Sequence, residues 1–144
     1  MVVNKNLNKY IYIYLMNPFN YNLGQSFAST YYEKMSKGIS NALTLFDPNV
    51  TCIIDNDAFS GAYEWLIRMA QSNAARFEYD NISGASQFIN HSDILVNING
   101  NLKVIGIHGQ LVSNWIKFNE VFVLEKKPND NRLFIKNYIL KILR

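Results

Sequence analysis

The stretch Leu23-Gly24-Gln25-Ser26-Phe27-Ala28-Ser29-Thr30-Tyr31-Tyr32-Glu33-Lys34-Met35 decides the fold of this chain. Its large apolar residues recur every four positions, at Leu23, Phe27, Tyr31 and Met35. Side chains four residues apart lie on one face of an α-helix, so the stretch predicts an amphipathic helix with one buried stripe.

Two starts are open for this helix. Asn17-Pro18 combines a capping residue with a proline suited to the first turn, and Asn22 followed by Gln25 resembles a capping box. Gly38 marks the expected end.

Length and composition indicate a single globular domain. The chain has 144 residues, of which 49% are apolar and 17% are charged, a balance that excludes general disorder. Aromatic residues make up 14% of the chain, which suits a sheet with one well-packed concave face.

The compartment is predicted to be intracellular, cytoplasmic or nuclear. Cys52 is the single cysteine, so no intrachain disulfide can form. The first nine residues are polar and do not resemble a secretory signal. The longest apolar run, residues 10–16, is far shorter than the ~20 residues that span a bilayer, so we expect no membrane association.

The elements after the first helix follow in a clear order. We predict a short second helix over residues 39–46, a strand over 50–54 and a third helix capped by Ser60. From Phe77 the apolar residues alternate, which indicates strands, and Asn99-Gly100 is a strong hairpin signal. Further strands are predicted over residues 104–111, 120–125 and 133–143, with Gly84 marking a bulge or kink.

Helices followed by a run of strands predict an α+β fold, in which the helices pack on one face of a curved antiparallel sheet. The last twenty residues carry six basic and two acidic side chains. This excess fits either an acidic or nucleic-acid partner or lysines that protect a sheet edge. We favour the sheet edge, so direct nucleic-acid binding is not expected.

Several short motifs in this order resemble the nuclear transport factor 2 family. The first is a Gly-x-x-Phe-x-x-x-Tyr-Tyr helix (Gly24, Phe27, Tyr31, Tyr32), which is followed by a short helix with an apolar end (residues 43–46). Next comes a strand that leads through an acidic turn into a Phe-x-Gly motif (residues 52–61). The last two are a Gly-x-Leu strand (residues 108–111) and a Phe-Val-Leu strand (residues 122–124). The match covers residues 20–143. It implies a cone-shaped domain over residues 20–144. Residues 1–19 lie outside the match and form a predicted amino-terminal extension, in which the β-branched and aromatic residues 10–16 indicate an extended segment or an added edge strand.

The resemblance also implies pairing through the open face of the sheet. Its interface is expected around Ile107, His108, Gln110 and Phe122. A homodimer is the commonest solution for a self-complementary face, and a heterodimer with a relative is the alternative.

Within the family, the stress-granule scaffold branch grips Phe/Gly-containing peptides in a groove. The matching positions here are Leu23, Phe27, Phe46 and Leu140. The alternative is that Phe27 and Phe46 only pack the helices together.

The transport-factor branch carries Ran-GDP and contacts nucleoporin repeats. Asp55 falls at the place of one acidic Ran contact, and Trp115 could be a partner-binding residue or fold back onto the sheet. The loop after Leu111 lacks the expected acids, and Asn20 replaces the tryptophan that grips the repeats, so Ran-GDP is not an expected partner.

The fold also hosts enzymes and small-molecule binders that use the cone interior. Candidate groups for such chemistry are scattered, and no spacing ties them together: Tyr31, Tyr32, Asp55, His91, Asp93 and His108. No metal or cofactor motif is evident. We therefore predict a non-catalytic protein-binding module that recognises Phe/Gly-containing or nucleoporin-type peptides, related to nucleocytoplasmic transport, RNA export or stress granules. A small-molecule binder, isomerase or dehydratase is the alternative.

Overall fold

A computed structural model describes residues 21–143. The described part begins with helix α1 (Tyr21–Lys37) and a 3-10 helix (Ile39–Leu45). Strand β1 (Phe46–Ile54) and strand β2 (Asp57–Ser60) form a hairpin that leads into helix α2 (Ala62–Met69) and a 3-10 turn (Gln71–Asn73). The long strands β3 (Ala74–Phe88), β4 (Asp93–Gly106), β5 (Leu111–Lys126) and β6 (Leu133–Leu143) complete the chain.

These six strands form one curved sheet in the order β2-β1-β6-β5-β4-β3. The neighbouring strands are antiparallel except that β1 runs parallel to β6. The sheet is therefore mixed, whereas the sequence predicted a purely antiparallel sheet. The parallel pair arises because α2, β3, β4 and β5 separate the two strands in sequence, which leaves room for a crossover. The α+β class and the curved sheet are confirmed.

The predicted helical stripe forms much of the contact with the sheet. Phe27, Tyr31 and Met35 are buried, as are their neighbours on the same side of α1. Tyr31 packs edge-on against Phe122 of β5, with 4.8 Å between ring centroids. Leu23, at the start of the stripe, is 47% exposed and lies outside this core.

Alternation along β5 assigns its side chains to the two faces of the sheet. Phe118, Glu120, Phe122 and Leu124 are buried, while the residues between them are only partly buried. Because a strand has a period of two, these four side chains point to the face covered by α1. Phe46 of β1 joins the same core, with its ring 4.1 Å from that of Trp65.

The predicted hairpin at Asn99-Gly100 is wrong. β4 runs straight through it, with Asn99 opposite Ser83 on one side and Asn119 on the other. Gly100 is needed for close packing, because a Cβ atom there would come within 2.6 Å of Ile82 Cδ1. Ladder pairing on both sides outweighs the turn preference of the dipeptide.

The true β4–β5 turn lies at residues 107–110, where a strand was predicted. Gly109 has φ +77°, and the Gly109 N–H donates to the carbonyl of Gly106 at 2.9 Å. The Gly-x-Leu motif assigned to residues 108–111 is therefore a turn. Asn99-Gly100-Asn101-Leu102 has the same pattern and occupies a mid-strand position, with Leu102 buried.

The bulge predicted at Gly84 lies slightly earlier in β3. The register of β3 against β4 shifts between Asp80 and Ser83, and Asn81 adopts φ +52° there. Gly84 instead marks a close approach of strands, since a Cβ atom would overlap the carbonyl oxygen of Asn97.

No helix in the described part of the chain is long and apolar enough to cross a membrane.

Candidate functional site

An apolar groove runs beside the amino-terminal half of α1. Its larger part, with a volume of about 430 Å³, lies between α1, the end of the 3-10 helix and the start of β6. The side chains that line it are Leu23, Ser26, Phe27, Thr30, Lys34, Thr44, Leu45, Asn131, Arg132, Leu133 and Phe134. We call this part the α1–β6 groove.

A smaller pocket of about 220 Å³ continues from it. Leu23 and Leu133 line both spaces, and the second is completed by the loop before β4 and the end of β5. Its other lining residues are Phe88, His91, Ser92, Ile94, Lys126, Lys127 and Pro128. We call it the side pocket.

Two of the four predicted groove residues line the α1–β6 groove. Leu23 is half exposed, and Phe27 contributes from the edge of the core, 6% exposed. Both lie on α1 one turn apart: Phe27 still packs against Phe122 of β5, with 6.0 Å between ring centroids, whereas Leu23 lies beyond this contact.

Phe46 and Leu140 are placed elsewhere, which corrects the predicted set. Phe46 is 3% exposed and packs against Trp65, so it belongs to the core. Leu140 is buried beside Ile54 near the far end of β6, about 16 Å along the strand from Ile135, the partner of Phe46. The aromatic residue that β6 contributes to the groove is Phe134.

Phe134 was missed because its role depends on the β5–β6 turn. Two cations lie over its ring, the Lys127 Nζ at 5.3 Å and the Arg132 guanidinium at 5.1 Å from the centroid. Each cation also has a carboxylate partner: Lys127 pairs with Asp47 at 2.6 Å and Arg132 with Asp130 at 2.8 Å. The sequence signal was an aromatic residue at the start of the last strand, after a basic turn.

The predicted dimer residues do not share one surface. Ile107, His108 and Gln110 lie in the exposed β4–β5 turn, and the Gln110 side-chain oxygen accepts the backbone N–H of His108 at 2.9 Å. Phe122 is fully buried under α1, because it has the inward parity of β5. It is therefore not on the open face.

The open face of the sheet carries a different apolar row. Ile53, Ile139 and Val121 are cross-strand neighbours, with Val123 and Leu95 paired one step along. Ile53 and Ile139 are 37% and 39% exposed. The row borders an amide cluster in which the Asn119 side chain donates to Asn97 at 2.7 Å and Asn99 at 3.0 Å.

Asp55 and Trp115 also lie apart. Asp55 is exposed in the β1–β2 turn, where its carboxylate accepts the backbone N–H of Ile142 at 3.0 Å. This bond ties the turn to the end of β6. Trp115 is 45% exposed at an irregular point of β5, with the Lys103 Nζ 4.7 Å from its ring centroid.

The candidate catalytic groups do not converge. His91 and His108 are exposed on separate turns. Asp93 is buried and ion-paired to Lys136 at 2.6 Å. Burial raises the pKa of Asp93, but hydrogen bonds from Lys136 and Asn90 outweigh it, so its pKa lies below the usual value.

Tyr31 and Tyr32 do share a partner, the buried Glu120. The Tyr31 hydroxyl donates to Glu120 Oε2 at 3.0 Å and the Tyr32 hydroxyl to Oε1 at 2.9 Å. Tyr138 of β6 donates a third bond to Oε2. We call these four residues the Glu120 cage.

Burial dominates the ionisation of the Glu120 cage. Burial raises the pKa of Glu120 to about 7, although all three hydroxyl donors favour its ionised form. Burial and the Glu120 charge raise the pKa of both Tyr31 and Tyr138 well above 10. Glu120 was missed by sequence reasoning, although its parity with Phe118 and Phe122 in β5 was the signal.

The Glu120 cage is closed to solvent. Its four residues are each at most 2% exposed, so a substrate could reach it only if α1 moved away from the sheet. No group of three or more His, Cys, Asp or Glu side chains suited to a metal ion occurs within residues 21–143.

Several solved structures share the fold of this chain. Nuclear transport factor 2 from Cryptosporidium parvum superposes with a TM-score of 0.65 at 18% identity, over 88% of this chain and 97% of that one. The yeast UBP3-associated protein BRE5 gives 0.58 at 21% identity, over 84% and 94%. A ketosteroid isomerase-like protein from Erwinia carotovora atroseptica gives 0.65 at 10% identity, over 88% and 98%.

No family model matches the sequence, and no curated protein matches it either. The solved structures that resemble it thus include a nuclear transport factor and a UBP3-associated protein as well as enzyme-like proteins, among them a protein described as a dehydratase from Streptomyces avermitilis. The chain thus has the nuclear transport factor 2-like fold.

Proposed function

We propose that this chain, as a domain with the nuclear transport factor 2-like fold, is a non-catalytic module that binds Phe/Gly-containing peptides in the α1–β6 groove. The observation that carries the proposal is the combination of an exposed Leu23 with Phe27 and Phe134 around one apolar space. The other residues of the α1 stripe are buried in the core, whereas the exposed Leu23 side chain is not part of the core.

The size and lining of the groove suit an aromatic side chain. Burying a phenylalanine there contributes about 1.5–3 kcal/mol from the area removed from water. A ring partner such as Phe27 or Phe134 adds about 0.5–1.5 kcal/mol from ring geometry. Glycine next to the aromatic residue lets the peptide backbone approach the helix closely.

The biological setting we propose is nucleocytoplasmic transport or RNA-export and RNA-granule assembly, in the cytoplasm or nucleus. One solved protein of this fold is a nuclear transport factor and another is described as UBP3-associated. Association with other proteins is thus within the range of this fold.

The test is calorimetric titration with a Phe-Gly-Asp-Phe-type peptide and an FxFG peptide. Leu23→Asn should weaken binding at least tenfold, because the exposed apolar wall is lost while the core is untouched. Ile67→Asn is the matched control: Ile67 is an exposed aliphatic residue on α2, away from the groove, and should leave binding unchanged. Absence of binding by the folded wild type would refute the proposal.

We further propose that a second copy of the chain packs on the apolar row of the open face. The row crosses four strands, and a self-complementary sheet face is most simply satisfied by a twofold pair. Ile139→Glu in the centre of the row should convert a dimer to a monomer in analytical ultracentrifugation. A monomeric wild type would refute this part.

The alternative, a small-molecule enzyme, has the Glu120 cage as its best support. A protonated buried carboxyl beside tyrosine hydroxyls can polarise a carbonyl oxygen. The cage is enclosed, however, whereas Asp55, His91 and His108 are exposed in turns. The open groove therefore supports the binding function better.

A further inference from the structure

The charge around the groove and the side pocket is one-sided. Four Lys or Arg side chains line the two spaces, namely Lys34 and Arg132 in the groove and Lys126 and Lys127 in the side pocket. No Asp or Glu lines either space among residues 21–143.

Two of these cations are already neutralised. Arg132 is held by Asp130 and Lys127 by Asp47, both within 2.8 Å. Lys34 and Lys126 form no ion pair with any residue in the described part of the chain. The net positive charge of the site therefore resides on one lysine in each half.

These two lysines lie on opposite sides of the apolar wall. Leu23 and Leu133 are shared by both spaces, whereas Lys34 lines only the groove and Lys126 only the side pocket. Along α1, the rise from Leu23 to Lys34 is about 16 Å. An extended peptide covers that distance with about five residues.

We infer that the natural occupant is an extended acidic segment, with an aromatic anchor in the α1–β6 groove and carboxylate side chains on both flanks, one for Lys34 and one for Lys126. The inference rests on the proposed function and adds the charge pattern of the partner. A carboxylate near an unpaired lysine gains Coulomb attraction, whereas a basic flank would be repelled from both ends.

A nucleic-acid strand fits the same surface less well. The lining is mainly apolar, and only two of the four cations that line the two spaces have no carboxylate partner within residues 21–143, whereas a nucleic-acid footprint needs a clearly basic surface. The basic side chains at positions 127, 132 and 136 are all engaged with Asp or Glu.

The test compares two peptides of the same length and the same Phe-Gly-Asn-Phe centre. One carries Gly-Ser flanks and the other carries Asp-Asp on each side. We expect the acidic peptide to bind the wild type about tenfold more tightly at 50 mM salt, with most of this difference lost at 300 mM salt, since exposed pairs are screened.

Single variants assign the preference to the two lysines. Lys34→Gln and Lys126→Gln should each reduce acidic-peptide binding about two- to fivefold, and each should reduce it by a larger factor than it reduces neutral-peptide binding. Lys37→Gln and Lys141→Gln are the controls, because both lysines lie outside the groove lining and carry the same charge. In the double variant Lys34→Glu/Lys126→Glu, an Arg-flanked peptide should bind better than the acidic one.

The outcomes separate the two proposals. Equal binding of neutral and acidic peptides, or equal losses in the control variants, would overturn the charge pattern and leave the aromatic groove standing. Failure of both peptides to bind would overturn the proposed function and this inference with it. Displacement of the acidic peptide by a uridine oligonucleotide, with the same dependence on Lys34 and Lys126, would overturn the peptide assignment in favour of a nucleic-acid site.

Discussion

Replacing Glu120 by glutamine should abolish a pH dependence of stability that the wild-type chain shows between pH 5 and 7. Glu120 is fully buried among the hydroxyls of Tyr31, Tyr32 and Tyr138. Its pKa is raised from the ordinary 4.5 to about 7 in the folded chain, chiefly by burial.

The sign follows from proton binding. Between the two pKa values the folded chain keeps a proton on Glu120 that the unfolded chain has released, so the folded state binds more protons. The free energy of unfolding therefore falls as pH rises through this window and is level above about pH 7. At about 1.36 kcal/mol for each pKa unit, the total change is about 3 kcal/mol.

Other carboxyl groups change the free energy of unfolding in a separate, more acidic pH range. Asp47, Glu78 and Asp93 have lowered pKa values, so their stabilising contributions are lost below about pH 4.5. A slope between pH 5 and 7 is thus assigned to Glu120 by comparison with Glu120→Gln, which should be flat there and at least as stable as the wild type at pH 8.

The assay is urea unfolding followed by circular dichroism at pH 5, 6, 7 and 8, with the dependence on urea checked for two-state behaviour. A wild-type free energy of unfolding that is constant or rises over this window would refute the burial argument. A slope that persists in Glu120→Gln would assign the effect to another group.

Three further predictions concern the core and the sheet. Phe46→Ala should cost about 3–5 kcal/mol of unfolding free energy in urea titrations, because Phe46 fills space against Trp65; a loss below 1 kcal/mol would place it outside the core. Gly84→Ala should cost at least about 2 kcal/mol by the same measurement, since its Cβ overlaps the Asn97 carbonyl oxygen, and an unchanged stability would contradict that approach. Cys52 is buried, which raises its pKa to about 12, so Ellman's reagent at pH 8 should label it only in denaturant, and rapid labelling of the native chain would contradict this burial.

The sequence predicted the helices and the fold class well because their signals are local. The four-residue spacing from Leu23 to Met35 is a property of α1 alone, and its end at Gly38 follows from the residue type. The break predicted between the strands at residues 120–125 and 133–143 was equally local, and the structure has the β5–β6 turn between Lys126 and Leu133.

The strand register could not be predicted from local sequence signals. Asn99-Gly100 has the strongest local hairpin preference in the chain, yet it lies within β4 because strands on both sides pair with it. Because the turn lies at residues 107–110, three of the four expected dimer residues (Ile107, His108 and Gln110) are not on the sheet face.

The sequence predicted only the part of the candidate site that lies on one helix, because only that part depends on local spacing. Leu23 and Phe27 are on one helix, so their common position in the groove follows from helical spacing. Phe134 reaches the groove, and Lys126 the side pocket, from the β5–β6 hairpin, and only the tertiary arrangement brings them beside α1. The predictions for residues 1–20, including the amino-terminal extension and the role of Asn20, concern residues outside the described part and stay predictions.

The most direct test of the central claim is an amide NMR titration of the full chain with the Phe-Gly-Asp-Phe-type peptide. Binding in the α1–β6 groove predicts that the largest shifts fall on Ser26, Thr30, Thr44 and Leu133, while the open face around Val121 is unaffected. Shifts concentrated on the open face or at the β4–β5 turn, with none along α1, would contradict the assignment of the binding site.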